Sequence, residues 1–179
     1  MRSRSPRKLA TEEELYAAAL RALMRRAHSV HEMRELLERR AEETSLVRPV
    51  LDRLKQHKYL DDARYACEFA RAHAQSRRQG RYRIARELRA RGVPDRHIET
   101  ALDQVFNETD EATLIRARLK RRLARLGSTA RDLDRRKLAS LYSSLLRAGF
   151  SSDAIRTELR ALDQLDLADV DGTTRTDED

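Results

Sequence analysis

Helix-breaking and aromatic residues are scarce in this sequence. Five glycines and three prolines are spread over 179 residues, tryptophan is absent, and aromatic residues make up 4%. Sheets joined by tight turns need more of these residue types, so the composition argues against a mainly β fold. No glycine-rich phosphate-binding loop is present, which argues against nucleotide binding or hydrolysis.

Cysteine and long apolar runs are equally scarce. Cys67 is the only cysteine, so no internal disulfide can form, and a reducing cytoplasm fits. Near the basic N-terminus, the apolar stretch 15–20 is followed at once by Arg21, which makes it too short for a signal sequence or a membrane span. We expect a cytoplasmic protein that does not enter a membrane.

The residue types that build catalytic or metal centres are few and scattered. His28 and His31 lie three residues apart, but no third ligand follows at a spacing typical of zinc sites. Cys67 lies among alanines in a helical pattern, which indicates a buried thiol rather than a nucleophile. We therefore expect no enzyme activity, no catalytic residue, no metal and no cofactor.

Helix-forming residues dominate what remains. Alanine, leucine, arginine and glutamate are frequent, and apolar residues recur at helical spacing from residue 9 to residue 163. The sequence therefore predicts an all-α fold. Residues 1–8 and 164–179 lack this spacing, and we expect them to form a disordered basic tail and a disordered acidic tail.

Local signals place the ends of several helices. Thr11 and Ser29 each precede a glutamate by three residues, which is the spacing of a capping box, and Ser151 precedes the last helical run. Gly92 and Gly149 are typical of helix ends.

An internal repeat divides the helical region into three units. Five apolar positions recur after 51 residues and again after a further 57. The three sets are Met33, Leu37, Val47, Leu51 and Leu54; Ile84, Leu88, Ile98, Leu102 and Val105; and Leu141, Leu145, Ile155, Leu159 and Leu162. Ala41, Gly92 and Gly149 occupy the hinge between the paired helices of each copy.

Each pair of helices follows a leading helix, predicted at 11–27, 61–76 and 110–126. The sequence thus predicts three tandem three-helix repeats, at 9–58, 59–108 and 109–163. Three short helices bury little apolar surface alone, so neighbouring repeats must cover one another. We expect an elongated, curved array.

Positive charge is concentrated in two clusters. The net charge is +8, and many acids lie in the last seventeen residues, so the helical region is more basic than the whole chain. A surface of this charge attracts polyanions, and we expect nucleic acid or a nucleoprotein as the partner. The candidate contact residues are Arg77, Arg78, Arg81, Arg83, Arg86, Arg89, Arg116, Lys120 and Arg121.

The first cluster lies on a helix with two unlike sides. Ile84 and Leu88 fall on one side, and the arginines at 83, 86 and 89 fall on the other. The alternative to a contact surface is that the arginine side of this helix is simply exposed to solvent. Only Tyr82 lies among these arginines, which disfavours single-strand binding by base stacking.

The second cluster runs from Arg116 to Arg125 without one acid and includes Arg118, Lys120, Arg121 and Arg122. Such repulsion destabilises a helix unless an anion lies near. DNA phosphate and the chain's own acidic tail are equally acceptable anions on the sequence alone.

Two sequence blocks carry a family resemblance. YLDDARYA at 59–66, followed by RIARELRARGV at 83–93, resembles the second repeat of the RecX family of RecA regulators. AHSVHEMRELL at 27–37 and LLRAGFSSDAI at 145–155 resemble the first and third repeats less specifically. The resemblance covers about residues 12–162.

The family signature here comprises Tyr59, Leu60, Asp61, Asp62, Arg64, Tyr65 and Gly92. We interpret it as structural. Asp61 or Asp62 caps the next helix, either aspartate is available to pair with Arg64, and Tyr59 and Leu60 close the preceding helix against Tyr65 and Phe69. Two positions depart from the family, since Lys58 and Ala41 each stand where a glycine is usual.

The resemblance implies a crescent of three three-helix repeats. It also implies a regulator that binds in the groove of RecA filaments on DNA and restrains filament growth, ATP hydrolysis and strand exchange, in homologous recombination, DNA repair and the SOS response. The expected partners are the RecA filament and, without sequence specificity, the DNA backbone, and a monomer is expected. The alternative is a general DNA-binding helical repeat protein without recombinase specificity.

Overall fold

The structure is a computed structural model that describes residues 8–127 and 133–171. These residues form nine α-helices, one short 3₁₀ helix at Thr44–Leu46 and a single β-bridge between Leu9 and Ala41, with no β-strand. The helices are α1 (Glu12–Leu23), α2 (Val30–Glu38), α3 (Val47–Gln56), α4 (Asp62–Gln75), α5 (Arg81–Arg89), α6 (Asp95–Glu108), α7 (Glu111–Leu126), α8 (Arg135–Arg147) and α9 (Ser152–Asp171). The predicted all-α fold is confirmed.

The apolar repeat corresponds to the core. Of its fifteen side chains, thirteen are buried, and only Leu159 and Leu162 are half-buried. The predicted leading helices at 61–76 and 110–126 agree with α4 and α7 to within one residue at each end. The first was predicted too long, because α1 ends at Leu23 and the chain must leave the helix before Ser29 caps α2.

The predicted tails need correction where the structure describes them. The helix α9 continues to Asp171, so the segment 164–171 is helical and not disordered. Lys8 donates a hydrogen bond from Nζ to the carbonyl of Arg39, which ties it to the fold. Residues 1–7 and 172–179 lie outside the described residues.

Two compact units make up the chain, one from Met1–Phe69 with Glu87–Ala101 and the other from Ala70–Arg86 with Leu102–Asp179. Their boundaries fall inside α4, α5 and α6. The three predicted repeats are therefore not the compact units, and the repeat boundaries stay a prediction.

In the first unit, α1 and α2 pack against α3 around the fully buried Leu15, Met33, Leu37 and Leu54. Ser29 begins α2 with a complete capping box. The Ser29 hydroxyl accepts a hydrogen bond from the N–H of Glu32, and the Glu32 carboxylate accepts one from the N–H of Ser29. The Ser29 hydroxyl also donates to the carbonyl of Arg91 at 2.6 Å. This side chain thereby joins the start of α2 to the end of α5.

In the second unit, α9 packs against α7 and α8. Phe150, Ile115 and Ile155 are buried in its core. Gly149, at φ +89°, ends α8, and a Cβ there would lie 2.3 Å from the backbone nitrogen of Arg83. Only glycine permits this close approach between the end of α8 and the start of α5.

A cleft lined by arginines

Six arginines of the second unit line one cleft of about 230 Å³. Four project from α7 and two from the segment that follows α4. They are Arg118, Arg121, Arg122 and Arg125, with Arg77 and Arg78. We call this site the arginine cleft.

Helical spacing explains the gathering of cations on α7. Positions 118, 121, 122 and 125 are separated by three, four and seven residues, so they share one side of the helix. Leu119 lies at the edge of this side, and with Leu141 and Leu145 of α8 it forms an apolar floor. The wall of the cleft is therefore cationic above a surface of low polarity.

Arg118 is half-buried in the wall of the cleft. Its guanidinium donates to the carbonyls of Arg77 and Arg78, each at 3.3 Å, which fixes it between the two chain segments. Burial lowers the pKa of Arg118, and the charges of Arg83, Arg121 and Arg78 lower it further. An anion bound in the cleft relieves this repulsion.

Among residues 8–125 and 133–162, whose side chains the structure describes, none of the six arginines has a carboxylate at ion-pair distance, although other arginines of the same unit do. Arginine presents planar pairs of N–H donors that match the oxygens of phosphate and carboxylate. The cleft is therefore built to hold an anion.

The structure separates the predicted contact residues into three groups. Arg77, Arg78 and Arg121 line the arginine cleft. Arg86 and Lys120 are exposed and lie outside its lining. The remaining four make intramolecular contacts, as follows: Arg81 to Asp103 at 3.0 Å, Arg89 to Asp95 at 2.7 Å, Arg116 to Glu158 at 2.8 Å, and Arg83 to the carbonyl of Arg147 at 3.4 Å.

Three cleft residues were absent from the predicted contact set. Arg118, Arg122 and Arg125 belong to the acid-free run on α7, and that run was the signal that pointed to them. Helical spacing places Arg118, Arg122 and Arg125 on the same side of α7 as Arg121, so this spacing would have added them to the predicted contact set. Arg116 lies on the other side of α7.

The start of α4 confirms part of the structural interpretation of the signature. Asp61 caps this helix by accepting from the N–H groups of Ala63 and Arg64, at 2.9 and 3.1 Å. Asp62 instead accepts from the N–H of Val30 and so links α4 to α2. Neither aspartate pairs with Arg64 in the structure, although the sequence made both available to it.

Arg64 has other partners in the structure. It donates to the carbonyl of Lys58 and lies 3.9 Å from Glu68, one helical turn ahead. Tyr59 is 50% exposed and lies beside the ring of His57. Of Tyr59 and Leu60, only Leu60 is buried, so it is the one that closes the end of α3.

In residues 8–127 and 133–171, no three His, Cys, Asp or Glu side chains come together in a way that would hold a metal ion. Within the same ranges, no helix combines the length and apolar character needed to cross a bilayer.

The chain is similar to known proteins over most of its length. A family model described as the second three-helix domain of RecX matches residues 61–102. Regulatory protein RecX of Halorhodospira halophila is 37% identical over 157 residues, covering 88% of this chain and 93% of that protein. Regulatory protein RecX of Deinococcus radiodurans is also 37% identical, over 89% of this chain and 76% of that protein.

Solved structures agree on the fold. The crystal structure of RecX from Lactobacillus salivarius matches with a TM-score of 0.74 at 23% identity, covering 86% of this chain and 97% of that one. Identity at that level shows the fold alone. Together with the sequence identity to the two relatives over most of their length, it establishes that this chain belongs to the RecX family of regulatory proteins.

Proposed function

We propose that this protein regulates the RecA recombinase by binding in the groove of RecA filaments on DNA, where it restrains filament extension, ATP hydrolysis and strand exchange. Membership of the RecX family supports the recombinase as partner. The arginine cleft is the observation that carries the DNA contact, because its six cations, none paired with an acid among the side chains that the structure describes, suit a phosphate backbone. The protein acts in the cytoplasm as a monomer, without catalysis or a cofactor.

The cleft holds DNA through its backbone and not through its bases. Guanidinium groups at the rim bind phosphate oxygens in pairs, and this contact is the same for every sequence. The apolar floor lowers the local polarity and strengthens the attraction of the rim for phosphate. A protein anchored in this way inhibits the recombinase by favouring a filament state that neither extends nor hydrolyses ATP.

The first experiment measures ATP hydrolysis by RecA on single-stranded DNA with increasing amounts of the protein. We expect the wild-type chain to suppress hydrolysis. The double variant Arg121→Glu with Arg122→Glu should need about thirtyfold more protein for half-suppression, since it loses two phosphate contacts at about 1 kcal/mol each, about 2 kcal/mol in total.

A matched control changes the net charge equally at another place. Arg40→Glu with Arg48→Glu alters two exposed arginines of the first unit and should suppress hydrolysis like the wild type. Hydrolysis that stays unchanged at saturating wild-type protein would contradict the proposal.

A second candidate function is general DNA binding without recombinase specificity. The cleft itself favours it, because the chemistry that holds phosphate in a filament also holds phosphate in bare DNA. The two functions differ in how much the recombinase strengthens binding.

A further inference from the structure

A second groove of the same unit is lined by apolar side chains of α8 and α9, two helices that pack against each other. Its volume is about 480 Å³. The apolar lining consists of Leu138, Ala139 and Tyr142 from α8 and Leu159 from α9. We call this site the apolar groove.

The apolar groove continues along α8 as a strip. Leu138, Tyr142 and Leu146 follow one another at intervals of four residues, so they share one side of the helix. Leu146 is 42% exposed, although large apolar side chains are usually buried. The eight residues from Leu138 to Leu146 span about 12 Å. The strip therefore offers a partner about two helical turns of apolar surface.

Exposed apolar surface distinguishes this groove from the arginine cleft. In the cleft, Leu141 and Leu145 are buried beneath the arginines, so a bound anion covers cations and little apolar surface. In the groove, Leu138 and Tyr142 are only half-buried among the side chains that the structure describes. Removing such surface from water stabilises a protein contact and not a contact with phosphate.

The helix α8 lies between the two sites. Ser144 lines the arginine cleft, whereas its neighbour Ser143 lines the apolar groove. Residues next to each other in a helix point about 100° apart, so the two sites open on different sides of α8. Both sites belong to one compact unit. Two partners can therefore be held at once, one on each side of the helix.

Positive charge around the apolar groove indicates the charge of its occupant. Arg135, Arg156 and Arg160 are exposed and line the groove. Arg156 lies 3.5 Å from Asp153, but both groups face solvent, so this pair contributes little. Arg135 and Arg160 have no carboxylate at ion-pair distance among the side chains described in residues 8–125 and 133–162. An apolar surface with an acidic surround is the complementary partner.

We propose that the apolar groove holds a short apolar segment with acidic flanks on the recombinase, while the arginine cleft holds DNA phosphate. This inference rests on the proposed function and assigns its protein contact to a second site. One bound molecule then contacts recombinase and DNA together, across the width of α8. A second copy of the chain is a poorer occupant, because molecules with a net charge of +8 repel each other.

The first test removes apolar surface without changing charge. Leu138→Ala with Tyr142→Ala should lower the affinity for recombinase-coated single-stranded DNA at least about tenfold, because both apolar contacts are truncated. Affinity for the same DNA without recombinase should stay within about twofold of the wild type, since no cation is lost. The anisotropy of N-terminally labelled protein measures both affinities, and thermal melting checks that the variant is folded.

The second test reverses charge at exposed positions, where folding is not at risk. Arg135→Glu with Arg160→Glu is compared with Arg40→Glu with Arg48→Glu, which has the same net charge. At about 150 mM salt, charges more than about 8 Å apart are largely screened. We expect the groove variant to bind coated DNA about tenfold more weakly than the control variant, and bare DNA within about twofold of it.

The outcomes separate this inference from the proposed function. Equal affinity of the wild type for coated and bare DNA would make both fail. A wild-type preference for coated DNA that both groove variants retain would overturn only the assignment of the groove, as would an equal loss of affinity for both substrates. Sedimentation velocity tests the second copy. A wild-type dimer that Leu138→Ala with Tyr142→Ala dissociates would give the groove to another molecule of this chain and overturn the inference.

Discussion

At the scale of single residues, Lys58 adopts a backbone conformation that glycine adopts more readily. Its φ is +55°, and it follows the end of α3, where its N–H donates to the carbonyl of Lys55 and the N–H of Tyr59 donates to that of Leu54. This hydrogen-bond pair is the Schellman motif, which ends many helices on a left-handed residue. A Cβ in this region costs about 1 kcal/mol.

We expect Lys58→Gly to stabilise the protein by about 0.5 to 1 kcal/mol, because it removes that strain at an exposed position. Urea denaturation measures the change. Lys55→Gly is the control, since the same replacement three residues earlier lies inside α3 and should cost about 1 kcal/mol. A loss of stability in both variants would show that Lys58 is not strained.

Residue-level signals predicted backbone features better than side-chain partners. Gly92 and Gly149 end helices at positive φ, as their positions in the repeat predicted, and Lys58 also has a positive φ, at the position where the resemblance implies a glycine. The partner of Arg116 is Glu158, 42 residues away, and nothing local in the sequence selects it. Ala41 keeps its hinge position without positive φ because the bridge to Leu9 holds it.

At the scale of the element, the start of α2 depends on one carboxylate. Burial pushes the pKa of Glu32 upward, but hydrogen bonds from Arg26 and from the N–H of Ser29, with the charge of Arg26, hold the pKa below its ordinary value of 4.5. A carboxylate whose pKa is lowered by folding stabilises the folded state at every pH above its ordinary pKa. That stabilisation is lost as the pH falls through the folded value.

We therefore expect Glu32→Gln to destabilise the protein by about 1 kcal/mol at pH 7 and by clearly less at pH 3. Urea denaturation at the two pH values gives both differences. Glu38→Gln, at an exposed position near the end of the same helix, is the control and should change the free energy of unfolding by less than about 0.5 kcal/mol at both pH values. A constant cost for Glu32→Gln would mean that its charge does not support the cap.

Helices were the level at which the sequence was most informative. Apolar spacing and caps locate α4 and α7 closely, because each signal lies within the helix that it defines. The end of α1 was misplaced, since Arg25, Arg26 and Ala27 suit a helix and the chain leaves it only to present Ser29 to α2 and to the carbonyl of Arg91. Long-range contacts of this kind decide helix ends without leaving a local pattern.

At the scale of the whole molecule, the sequence predicted an all-α protein of the RecX family but not its compact units. The repeat predicts boundaries between α3 and α4 and between α6 and α7, whereas the compact units divide inside α4, α5 and α6. The positive charge of the two arginine clusters likewise indicated a polyanion as partner. Which of their arginines line the cleft depended on which of them pair with acids in the fold, and the sequence did not show this.

The decisive prediction at this scale concerns affinity for bare DNA and for recombinase-coated DNA at matched salt. If the recombinase is the partner, we expect binding to coated DNA to be at least about tenfold tighter, because it adds about 1.4 kcal/mol or more of protein contact to the phosphate contact. Anisotropy titrations at several salt concentrations measure both affinities and their salt slopes. On bare DNA, Arg121→Glu with Arg122→Glu should reduce the slope by about two, roughly one for each lost phosphate contact. Equal affinities for the two substrates, with a steep slope on both, would instead identify a general DNA-binding protein, since the recombinase would then contribute nothing.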